Sequence, residues 1–70
     1  MKTGDLVRCS DSVAHVYVTS MRKPYSSWYV NRDEGPFVWL GCCGDTVLVK
    51  IMLRDGTLAV CNGRSLERVT

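Results

Sequence analysis

Asp55-Gly56 separates two runs rich in β-branched and aliphatic residues, 46–54 (TVLVKIMLR) and 57–62 (TLAVCN). An Asp-Gly pair in that setting signals a hairpin, because a type I′ turn needs positive φ at both central residues and Gly adopts it without steric cost. A two-residue turn closes Arg54 against Thr57, pairs Leu53 with Leu58 and sets Ile51 opposite Val60. Side chains alternate between the faces of a strand, so this register gathers Val47, Val49, Ile51, Leu53, Leu58 and Val60 on one side. A three-residue loop would shift the pairing by one, set Ile51 opposite Ala59 and turn Leu58 and Val60 away. Burial of aliphatic surface favours the two-residue turn. The other face, with Thr46, Lys50, Arg54, Thr57, Ala59 and Cys61, is mixed and suits solvent or a partner. A lone hairpin is at best marginally stable in water, so further strands or a second chain must cover the apolar side.

The chain has 70 residues, enough for one domain, and a domain of that size buries only about 60% of its unfolded surface. A composition of 46% hydrophobic and 23% charged residues is that of a globular chain, not a disordered one. The formal charge of +2 comes from basic residues dispersed among acidic ones and does not by itself argue for nucleic acid. No apolar run approaches the twenty or so residues of a membrane span, and Met1-Lys2-Thr3-Gly4-Asp5 lacks the apolar core of an export signal. The expectation is a cytoplasmic protein with no membrane partner. The cysteines are Cys9, Cys42, Cys43 and Cys61. In a reducing compartment they are expected as thiols, and their spacing lacks the paired C-x-x-C pattern of a zinc site.

Along the chain, Leu6 to Ser10 reads as a strand after a Gly-Asp turn, interrupted by Asp11-Ser12. Val13 to Thr19 alternates, with Ala14, Val16 and Val18 on one face and Val13, His15, Tyr17 and Thr19 on the other. His15 is expected as a surface or packing residue. Met21 to Ser27 is a basic loop containing Pro24, Ser27 to Val30 a short strand, and Asn31 to Pro36 a turn in which Gly35-Pro36 halts any helix capped by Asn31. Phe37 to Gly41 is a compact strand, and Gly44-Asp45 a tight connection into the hairpin. Gly63 to Leu66 fits a single 3₁₀ turn before a last strand, Glu67 to Val69. Closely spaced strands with almost no helix predict an all-β fold, a small barrel of five to six short antiparallel strands filling residues 1–70.

Two ends of the chain add a family resemblance. Lys2-Thr3-Gly4-Asp5-Leu6-Val7-Arg8 resembles the K-x-G-D-L-V-R opening of small SH3-like barrel proteins encoded by tailed bacteriophages. Arg54-Asp55-Gly56, followed by Ser65-Leu66-Glu67-Arg68-Val69, resembles their D-G hairpin and closing S-x-L-E-x-V segment. The likeness covers about the first ten and last twenty-five residues, and residues 20–45 stand outside it. It implies an SH3-like barrel with its 3₁₀ turn before the last strand, in a host cytoplasm. These motifs are structural and carry no activity.

Catalytic signatures are missing: no G-x-S-x-G, no phosphate-binding glycine loop, no H-E-x-x-H. No cofactor is expected. The aspartates sit beside glycine, serine or charged turn residues and read first as turn formers. The vicinal Cys42-Cys43 pair has no adjacent cation to lower a thiol pKa and reads as turn structure. Of the six aromatic residues, Tyr25, Trp28, Tyr29, Phe37 and Trp39 cluster within one stretch beside Arg22, Lys23 and Arg32. Phe37 and Trp39 alternate onto one side and belong to a core that Trp28 can join, whereas tyrosine, with its polar tip, suits a surface. Arg22, Lys23, Tyr25, Trp28, Tyr29 and Arg32 are therefore the candidate binding residues. They suit an aromatic groove for a protein partner, from host or phage, or a stacking platform for nucleic acid. A homo-oligomer that uses an open face to complete its own core is the third reading.

Overall fold

Alternating short apolar runs become strands wherever a neighbour can take up their backbone groups, and here every candidate run finds one. The computed structural model describes residues 2–44 and 46–69. Its strands are β1 (Leu6–Cys9), β2 (His15–Ser20), β3 (Ser27–Asn31), β4 (Phe37–Cys42), β5 (Leu48–Met52), β6 (Leu58–Asn62) and β7 (Leu66–Arg68). They form one antiparallel sheet in the order β3-β2-β6-β5-β4-β1-β7. The all-β expectation holds, with seven strands in place of five to six and no α-helix among the described residues.

The sheet curls into a half-barrel around a common core. Val7 and Cys9 of β1, Val16 and Val18 of β2, Val30, Phe37, Val49, Ile51, Ala59, Cys61 and Leu66 are all buried. The Cys9 Sγ lies 4.0 Å from the Val30 carbonyl oxygen, which brings β1 near one end of the sheet against β3 at the other. A β-bulge between Trp39 and Gly41 interrupts the β4–β5 register, and bulges sharpen the local twist. Phe37 is fully buried, and Trp28 and Trp39 are half-buried against the core.

The central hairpin forms in the register that burial of large side chains disfavoured. Ile51 lies opposite Ala59, Lys50 opposite Val60 and Met52 opposite Leu58. The buried set is Val49, Ile51, Ala59 and Cys61. Leu53, Leu58 and Val60 are half-buried, and Val47 is exposed. Backbone angles at the turn explain the outcome: Gly56 has φ of +89°, while no non-glycine among the described residues has positive φ, so Asp55 does not take the second positive φ that a type I′ turn requires. Instead the Gly56 N–H donates to the Leu53 oxygen (2.9 Å) and the Leu53 N–H to the Thr57 oxygen (2.9 Å), enclosing the loop Arg54-Asp55-Gly56. The Asp55 Oδ1 accepts from the Thr57 N–H at 3.0 Å, a side-chain turn bond available in this longer loop.

Other boundaries shift by a residue or two. β1 ends at Cys9, not Ser10, and β2 starts at His15, so Ala14 is exposed outside the strand and only Val16 and Val18 form its buried side. The 3₁₀ turn Gly63–Ser65 precedes β7 as expected, with the Asn62 Oδ1 accepting from the Arg64 N–H at 2.9 Å. A second 3₁₀ turn, Arg32–Glu34, makes two where one was expected. There the Glu34 carboxylate reaches back to the Asn31 N–H at 2.9 Å, satisfying a donor that the turn leaves open. Gly44 has φ of +62°, and Asp45, the other half of the expected Gly-Asp connection, lies outside the described residues.

Candidate functional site

The loop joining β2 to β3, residues 21–26, is anchored at its base by backbone bonds. The Ser20 N–H donates to the Ser26 oxygen (2.8 Å) and the Met21 N–H to the Leu58 oxygen of β6 (3.1 Å). The Ser20 hydroxyl donates to the Arg22 oxygen (3.0 Å) and accepts from the Arg22 N–H (3.2 Å), which turns the chain outward. Arg22, Lys23, Pro24 and Tyr25 consequently project into solvent, with Tyr25 64% exposed. Opposite them stands the β5–β6 turn. Arg22, Lys23, Pro24 and Trp28 on one side and Met52 and Leu58 on the other line a groove of about 700 Å³.

The groove has a basic rim and an apolar floor. Arg22 and Lys23 make no ion pair among the described residues, so their charge remains available. Arg32 differs. It pairs with Asp11 and lies 3.7 Å from Glu67, which in turn holds Arg8 at 3.2 Å. Its guanidinium thus ties the second 3₁₀ turn to the β1–β2 connection and to β7, and it lines a separate cleft with Arg8 and Pro36.

Tyr29 neighbours Trp28 in sequence but points to the opposite face of β3. It is 62% exposed and lies opposite Tyr17, itself 54% exposed. The two rings are 5.0 Å apart at 59°, and His15 meets Tyr29 edge-on at 4.5 Å. The six sequence candidates therefore do not form one patch. Arg22, Lys23 and Trp28 share the groove, Tyr25 lies on the same loop, Tyr29 faces away, and Arg32 is held in ion pairs elsewhere.

Tyr17 and His15, which the candidate set omits, complete the exposed aromatic cluster with Tyr29. The alternation of β2 already placed His15 and Tyr17 on one face; the β2–β3 register that joins them to Tyr29 was not legible. All four cysteines are free, with Cys9 and Cys61 buried and Cys42 exposed. Burial, together with the neighbouring Cys9, pushes the Cys61 thiol up to about 12. Among the described residues no three His, Cys, Asp or Glu side chains gather as a metal-binding group, and no helix is long and apolar enough to cross a membrane. No family model, characterised protein or solved structure matches this chain.

Proposed function

We propose that this chain is a non-enzymatic SH3-like interaction module, a bacteriophage accessory protein that binds an extended segment of a host or phage protein. The strand order supports the SH3-like reading: β7-β1-β4-β5-β6 follow one another across the sheet, a 3₁₀ turn precedes β7, and in the chain the β2–β3 hairpin is inserted between β1 and β4, which are neighbours in the sheet. The observation that carries the binding reading is the groove, where two cations with no ion pair among the described residues border a floor of Trp28, Met52 and Leu58. Such a groove suits an extended peptide with an apolar anchor beside an acidic residue.

The test titrates the labelled protein with synthetic peptides of acidic-apolar, basic and proline-rich composition and follows backbone amide shifts. Acidic-apolar peptides are expected to move resonances of Arg22, Lys23, Trp28 and Leu58 first. Arg22→Ala with Lys23→Ala should leave the unfolding curve almost unchanged yet weaken that binding, since exposed charges add little to stability. Tyr25→Ala should cost about 2 kcal/mol or more of binding energy if the ring is an anchor. Binding untouched by all three changes would place the functional face elsewhere.

The exposed Tyr17–Tyr29 pair favours one alternative, a nucleic-acid-binding barrel that stacks bases on those rings. Titration with a single-stranded oligonucleotide at several salt concentrations separates the two. Phosphate binding falls with a log-log slope of about −0.7 per phosphate contacted, whereas peptide binding in an aromatic groove is much less sensitive.

A further inference from the structure

β3 is an outermost strand of the sheet, and among the described residues its only strand partner is β2. The Ser20 N–H bonds the Ser26 oxygen, and the Arg32 N–H bonds the Ala14 oxygen at 3.0 Å, so even-numbered residues of this segment face β2. In an antiparallel ladder the alternate residues turn their backbone groups the other way. Ser27, Tyr29 and Asn31 therefore present N–H and C=O groups to the open edge, with the Asn31 N–H already taken by Glu34.

Monomeric proteins blunt such edges with lysine, proline, a bulge or a very short strand. The sequence of β3, Ser-Trp-Tyr-Val-Asn, has no charge and no proline, and its register with β2 is unbroken. The opposite edge, β7, has three residues, two of them charged. A cleft of about 260 Å³ lies on the inner side of this strand, between Trp28 and Val30 on one side and Leu53 and Asp55 on the other.

We infer that β3 pairs antiparallel with β3 of a second copy, about a two-fold axis at Tyr29. Charge selects this occupant. Arg22 and Lys23 precede β3, while Asp33 and Glu34 follow it after Arg32, whose charge is taken up by Asp11 and Glu67. Antiparallel pairing sets the basic end of each copy beside the acidic end of the other, and a parallel arrangement would set like beside like. Tyr29 then exchanges two backbone bonds with the partner's Tyr29, and each Ser27 N–H meets the partner's Asn31 oxygen. The tyrosine rings of both copies join on the outer face. An interface this small is self-complementary and weak, since contacts below about 1,200 Å² belong to transient complexes.

Sedimentation of the full chain, without any added ligand, tests the pairing. The apparent mass is expected to climb from 7.8 kDa toward twice that value as concentration rises from about 5 µM to 1 mM, a range suited to weak association. Arg22→Glu with Lys23→Glu should weaken association about tenfold or more, because acidic ends then meet acidic ends. Asp33→Lys should also weaken it, and mixing the two variants should restore part of the loss. Tyr29→Pro removes an edge N–H that β2 does not use and should leave a monomer with an unchanged circular dichroism spectrum. If that variant fails to fold, the charge variants decide alone. A chain that stays monomeric to 1 mM, or a dimer that none of the folded variants weakens, overturns the inference.

Discussion

Cys9 and Cys61 illustrate how a single buried side chain couples this fold to pH. Both thiols sit in the core, and burial raises both above the ordinary thiol range, Cys61 to about 12. The unfolded chain loses these protons near pH 8.5 to 9, while the folded chain keeps them. Above that pH the unfolded state binds fewer protons than the native one, so stability falls as pH rises from about 9 toward 12. Denaturant midpoints measured at pH 8 and pH 11 should show the loss, and Cys61→Ala should reduce the difference. Reactivity follows the same burial. A thiol reagent at neutral pH should modify Cys42 in the native protein and reach Cys9 and Cys61 only on unfolding, read by mass spectrometry of the digested chain.

Within the β5–β6 hairpin, the three-residue loop decides which side chains the core must accommodate. Ala59 is fully buried opposite Ile51, in the strand that also pairs with β2, so there is little room for a larger residue. Ala59→Leu should destabilise by about 1 to 3 kcal/mol through overpacking. Leu58→Ala, at a half-buried position, should cost less; the two-residue register would reverse that order. Gly56→Ala should cost about 1 kcal/mol or more, because a side chain at φ of +89° is strained. Urea unfolding of the three variants separates these expectations. Gly63 is constrained differently: a Cβ there would lie 2.9 Å from the Val49 Cγ1, so the 3₁₀ turn after β6 can press on the core only without one.

For the molecule as a whole, stability comes from curling the sheet over one small core. The four cysteines are free, and no metal-binding group is present among the described residues. Excess reductant and chelator should therefore leave the melting temperature unchanged; a large fall with either reagent would reveal a disulfide or metal staple. The two ends of the sheet are joined by side chains as well as by the core, since Glu67 of β7 engages both Arg8 and Arg32. These pairs are partly exposed and serve more to position the Arg32–Glu34 turn than to add stability.

Alternation of apolar residues in Val16-Tyr17-Val18, the glycine and proline punctuation at Gly35-Pro36, and the turn residues after Asn62 sufficed to read an all-β chain and place most strands within a residue or two. These are local properties, written in the side-chain period and in the backbone angles particular residues allow. The hairpin register was not local. Asp-Gly is compatible with either loop length, and aliphatic burial counted within the hairpin favoured the wrong one; the small core, already occupied by Phe37, Ile51 and Val18, takes Ala59 and Cys61 instead. The candidate residues divided for the same reason. Trp28 and Tyr29 separate by strand alternation, but Arg32 is withdrawn from the surface charge by Asp11 and Glu67, and Tyr29 gains Tyr17 and His15 only through cross-strand pairing. Local chemistry determined which segments are strands; only the curling of the sheet decided which faces are buried and which side chains meet.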